Sequence, residues 1–160
     1  MLNINIISVG KIKEDYLRAA CDEYAKRLSA FCKLRITEIE PYRLPDNPGP
    51  ALIEKALSEE GKKVLSQTGK NGCIVAMCIE GEKFSSEEFS KKMEELMISG
   101  TGSVDFIIGS SFGLSEEVKK KASVRMSMSS MTFPHRIARV MLLEQIYRAF
   151  SIINGGKYHK

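Results

Sequence analysis

"CIVAMCI", residues 73–79, is an unbroken apolar run of strand length, set between Asn71-Gly72 and Gly81. It shows no alternation of polar and apolar side chains. Such a run reads as a strand covered on both faces, as in the parallel sheet of an α/β protein. The flanking sequence supports this. Val104 to Ile108 is a second buried run, and it leads directly into GSSFGLS, residues 109–115. Ile4, Ile6, Ile7 and Val9 form a strand ending at Gly10, and Leu34, Ile36 and Ile39 suggest another. Val124 to Met128 is the last strand, followed by the loop SSMTFP.

Helical patterns lie between these strands: Lys13 to Ser29, Ala51 to Ser66, Ser85 or Ser86 to Met97, Ser115 to Ala122, and Pro134 to Ile153. Glu88 stands three residues after Ser85, the spacing of a capping box. Residues 41–50, PYRLPDNPGP, hold four of the five prolines and must be irregular, because proline removes backbone donors. Strands alternating with helices imply an α/β fold with a mostly parallel sheet flanked by helices. At 160 residues, with no repeat or low-complexity segment, one domain over residues 1–160 is expected.

Composition narrows the function classes. No apolar run approaches the ~18 residues of a membrane-spanning helix. The N-terminus lacks the order of a secretory signal. A cytoplasmic protein with no membrane partner is expected. Cys21, Cys32, Cys73 and Cys78 include no CxxC pair and read as reduced, mostly buried thiols. The two histidines have no Cys or His at ligand spacing, so no metal site is expected. The formal charge is +4, and residues 136–160 carry all of the excess. A basic C-terminal segment suits an anionic partner such as nucleic acid, or is a solvated tail.

Ligands of parallel α/β sheets bind at the carboxyl ends of strands. Three loops leave such ends here: Glu80-Gly81, Gly109–Gly113 and Ser129–Phe133. GSSFG is neither a Walker loop nor GxGxxG. Ser127, Ser129 and Ser130 have no His-Asp pattern that would make one a nucleophile. Met77, Met126, Met128 and Met131 suit core filling as well as ligand contact. The final helix is apolar nearly all round, which implies burial on more than one side, with a second subunit as a candidate cover. Arg139 lies in its apolar stripe. A guanidinium there needs a partner, either in a structural ion pair or carbonyl anchor or at the rim of a site.

TFPHRIARVMLLEQIYRAFSI, followed by the terminal Tyr-His-Lys, resembles the ribosomal RNA large subunit methyltransferase H family. The resemblance extends over the whole chain, including ISVGK, IEGE, IIGSSFGLS and SMSSMTFPH. It implies a SPOUT-type fold with a C-terminal trefoil knot and a homodimer. It also implies S-adenosyl-L-methionine-dependent methylation of N3 of a pseudouridine in large-subunit (23S) ribosomal RNA, on the assembled ribosome. By position, Met77, Gly109, Met128, Ser129, Ser130, Met131, Thr132 and Phe133 would bind the cofactor. His159, Arg139 and Tyr158 would be catalytic, and Lys157 and Lys160 would meet RNA phosphates. The family pattern is broken at Ser110, where relatives commonly have a second glycine. It is broken again at Asn154-Gly155, where an arginine is frequent. A catalytically silent RNA-binding or ribosome-assembly module is the alternative; it would keep the basic tail without needing the cofactor loops.

Overall fold

The computed structural model describes all residues from Met1 to Lys160. Five strands alternate with five helices: β1 Leu2–Val9, α1 Asp15–Leu28, β2 Cys32–Ile39, α2 Pro50–Leu65, β3 Gly72–Lys83, α3 Ser86–Ile98, β4 Ser103–Ile108, α4 Glu116–Lys121, β5 Val124–Ser127 and α5 His135–Ile153. The strands form one sheet in the order β2-β1-β4-β3-β5, and every pairing is parallel. All five carboxyl ends therefore face the same edge.

Local chemistry accounts for the helix ends. Ser85 Oγ accepts from Glu88 N at 3.1 Å and Ser85 N donates to Glu88 Oε2 at 2.7 Å, the reciprocal capping box that starts α3. Pro50 opens α2 and Pro134 stands before the first turn of α5, positions where a missing N–H is harmless.

The sheet separates two cores. Ile4, Ile6, Val104, Phe106 and Ile108 face α1, α3 and α5, joined by Leu142, Leu143, Ile146 and Phe150. Ile7, Val9, Ala76 and Ile107 face the other way, against Val64, Leu114 and Val118 of the α2–α4 side. Alternate side chains of one strand thus serve both layers. β4, the middle strand, is the one buried at every residue. CIVAMCI is less covered than its composition implies: Ile79 is 60% exposed. The reason is that Ile79 lies beyond Met77, the last residue paired to β4, in a stretch that also leaves the β5 ladder.

β3 also runs past Gly81. Met126 pairs with both Met77 and Glu82, so Cys78 to Gly81 bulge out of the ladder. A Cβ on Gly81 would lie 2.6 Å from the carbonyl carbon and 2.7 Å from the nitrogen of Met126. Glycine is required there because the β5 backbone passes through that space.

α5 packs against α1 on one flank and α3 on the other. These two helices of the same chain bury much of the apolar circumference for which a second subunit was a candidate cover.

Candidate functional site at the carboxyl edge of the sheet

The register brings three loops together. Met77 pairs with Ile108 on one side and Met126 on the other. Gly109 directly follows Ile108, and Met128 follows Ser127 at the end of β5. Residues predicted from far-apart segments thus emerge from three adjacent strands, β4, β3 and β5.

Each loop is shaped by its own contacts. Gly109 is buried, and a Cβ on it would lie 2.2 Å from the Gly113 carbonyl oxygen. The turn closes on itself there: Gly113 N donates to Ser110 O at 2.9 Å. Gly109 therefore permits loop closure, and a side chain at that position would distort the turn before filling any neighbouring space. In the last loop, Ser127 Oγ donates to Ser129 O at 2.9 Å and Met131 N donates to Ser129 Oγ at 3.1 Å. Lys83 Nζ donates to Ser130 Oγ, tying this loop to the end of β3. Met128 and Phe133 are half-buried, Thr132 is exposed, and Met131 is 72% exposed. The result is an apolar, backbone-rich rim with a single lysine on it.

The first turn of α5 fastens the same loop to the end of β1. Arg139 is only 5% exposed. Its Nη1 donates to Glu38 Oε2 at 3.1 Å, and its Nη2 donates to Ser8 Oγ and, at 3.2 Å, to Gly10 O. Glu38 also accepts from Ile12 N at 3.3 Å. Arg136 is paired with Glu14. His135 Nε2 faces Gly10, whose φ of +99° suits glycine. Burial first, then Arg136 and Arg139, pushes the His135 imidazole below its ordinary range. Arg139 is thus a partnered cation that pins α5 beneath the GKIKE turn.

The tail lies elsewhere. Tyr158 OH donates to Glu144 Oε1 at 3.1 Å, its ring meets Tyr147 edge-on at 4.8 Å, and the Arg148 guanidinium sits over it at 4.7 Å. The Tyr24 hydroxyl, burial and Glu144 push the Tyr158 phenol upward, so it stays protonated. His159 lies between Arg148 and Glu87. Lys157 and Lys160 are exposed. The tail's polar partners lie on α1, α3 and α5, and none is in the Met128–Phe133 loop. Sequence reasoning missed Lys83, Glu87, Glu144 and Arg148 as neighbours of these groups. Only the Glu144/Arg148 spacing carried any signal, as a helical i,i+4 pair.

Two concavities lie near these loops. One of about 500 Å³ is lined by Ile53, Leu57 and Leu114 on the α2–α4 side. The other, about 390 Å³, is lined by Glu80, Gly81, Phe84 and Arg125 at the β3 bulge. No group of three or more His, Cys, Asp or Glu side chains is arranged to hold a metal.

Comparison with known proteins gives a consistent picture. A family model described as "Predicted SPOUT methyltransferase" matches residues 2–159. The chain is 48% identical over 159 residues to the ribosomal RNA large subunit methyltransferase H of Clostridioides difficile, covering 99% of this chain and 100% of that one. It is 47% identical, with the same coverage, to the protein of that name from Clostridium botulinum. A probable methylase family protein from Haemophilus influenzae shares the fold, with a TM-score of 0.56 at 13% identity, over 99% of this chain and 71% of that one. The chain belongs to the SPOUT methyltransferases, within the ribosomal RNA large subunit methyltransferase H family.

Proposed function

We propose that this chain transfers a methyl group from S-adenosyl-L-methionine to N3 of a pseudouridine in 23S ribosomal RNA, acting on the assembled ribosome as a cytoplasmic homodimer. The observation that carries this reading is the convergence of Met77, Gly109 and the Met128–Phe133 loop on adjacent strands, in a chain matched end to end by relatives bearing the methyltransferase name. The same reading makes residues 1–160 one SPOUT domain whose C-terminal segment forms a trefoil knot. The return of α5 from β5 to Gly10 at the end of β1 supports that chain path.

The residues suit the cofactor. A sulfonium with an adenine and no phosphates needs neither a phosphate cradle nor a metal. Met128, Met131 and Phe133 supply apolar surface, and the backbone of Gly109 and residues 128–133 supplies donors and acceptors for a base edge. When bound, the cofactor supplies an electrophilic methyl group. The chain's own contribution is positioning. Lys83 holds the Ser130 loop, and Arg139 fixes the α5 start from which that loop departs. Tyr158 and His159 orient the target base, while Lys157 and Lys160 meet phosphates.

Tyr16 is 73% exposed and Ile137 40% exposed, on the adjoining first turns of α1 and α5. That apolar surface supports the homodimer. The deciding experiment is methyl transfer to ribosomes, isolated large subunits and free rRNA, each with and without the pseudouridine. Transfer that is indifferent to pseudouridine, or absent with every substrate, would sink the reading.

A further inference from the structure

We propose that Glu87 is a positioning residue for the tail. Together with Arg148 it holds His159 as the Nε2–H tautomer, so that His159 orients the target base and does not serve as the general base. This rests on the function proposed above.

The tautomer follows from donor chemistry. A guanidinium can only donate. Arg148 Nη1 stands 3.2 Å from His159 Nδ1, so Nδ1 accepts and carries no proton. The proton is then on Nε2, which donates to Glu87 Oε1 at 2.8 Å. Glu87 is suited to accept. It lies in the first turn of α3, where free backbone N–H groups favour a carboxylate. The His159 contact is also the largest cause holding its carboxyl below the ordinary range.

Both ring nitrogens are therefore engaged. His159 has no lone pair free to take the N3 proton. That proton leaves to a solvent base, N3 bonds to the methyl carbon, and the carbon–sulfur bond breaks with its electron pair going to sulfur. What remains for His159 is orientation, within a frame built by Glu87, Arg148 and Glu144.

The frame adjoins the cofactor loops through one segment. Lys83 and Glu87 are four residues apart, so their Cα atoms are at most ~14 Å apart. Lys83 touches Ser130 and Glu87 touches His159. The β3–α3 turn thus connects the cofactor loop to the tail.

Two measurements on the full-length protein test this. Ring-nitrogen NMR at mildly alkaline pH should show His159 with Nδ1 unprotonated and Nε2 protonated, and combining Arg148→Met with Glu87→Ala should replace that with a tautomer mixture. Single-turnover methyl transfer should fall about tenfold or more in both Glu87→Ala and His159→Ala, with the double variant no slower than either. His159→Gln, whose amide still donates toward Glu87, should stay within about threefold of the unmodified rate. An Nδ1–H tautomer, or equal losses in His159→Gln and His159→Ala, overturns the proposal. An unmodified protein that transfers no methyl group condemns the functional reading instead, and the NMR result still decides the contact.

Discussion

Arg139 and Glu38 stand 101 residues apart in sequence, yet Arg139 Nη1 donates to Glu38 Oε2 at 3.1 Å. This contact joins the last helix to the second strand across the end of the first. It gives the buried guanidinium a carboxylate partner. Ser8 Oγ and the Gly10 carbonyl accept from the same guanidinium. Arg139→Met should leave Glu38 without its cation and cost about 3 kcal/mol, the lower end of the range for broken buried pairs, because the Glu38 side chain is partly exposed. Chemical denaturation of Arg139→Met, Glu38→Gln and the double variant measures this. Strictly additive losses would mean the two side chains do not interact.

Gly81→Ala should destabilise the protein by about 1–3 kcal/mol, the cost typical of overpacking. The added Cβ meets the Met126 backbone, which cannot swing aside as a side chain can. Thermal unfolding should fall by about 2–4 °C for each kcal/mol lost. An unchanged midpoint would show that β5 does not pass where the structure puts it.

His135 gives stability a pH dependence. Its folded-state pKa lies below the ordinary value of 6.5, through burial and the neighbouring Arg136 and Arg139, with Glu14 opposing. The unfolded chain therefore binds the proton more readily. Stability is full above pH 6.5 and declines as pH falls through the window below it, ahead of carboxylate titration. His135→Gln should flatten that decline in denaturant midpoints measured across the window. A slope unaffected by the substitution would assign the decline to other groups.

Deleting Tyr158-His159-Lys160 removes the Tyr147 contact and the hydrogen bonds to Glu144 and Glu87. Stability should drop by about 1 kcal/mol. Cofactor affinity, read by titration calorimetry, should survive because the Met128–Phe133 loop is untouched. Methyl transfer under single-turnover conditions should fall by orders of magnitude. Lys160→Ala alone should weaken RNA binding and reduce its salt slope by about 1. Full-rate transfer by the truncated chain would reduce the tail to a packed end.

Sedimentation equilibrium should give twice the chain mass. Ile137→Asp combined with Tyr16→Lys should shift the population to monomer by charging the exposed apolar turns. An unmodified chain that sediments as a monomer and is fully active would remove the homodimer from the proposal.

The sequence alone determined the elements. Continuous apolar runs, the Ser85–Glu88 spacing and the clustered prolines are local signals. They correctly set out five strands and five helices, because periodicity and capping act within a few residues. The resemblance carried by residues 132–160 supplied the family. Tertiary structure alone decided the strand order, in which β4 enters between β1 and β3. No short-range pattern encodes that choice, which depends on how two cores fill on opposite faces of one sheet. It also decided why particular glycines are needed: Gly81 makes room for Met126, and Gly72 for Asp105. The partners of Arg139 and His159 were illegible for the same reason. Glu38 and Glu87 lie about a hundred and about seventy residues from their partners, and only the folded chain brings those charges within hydrogen-bonding distance.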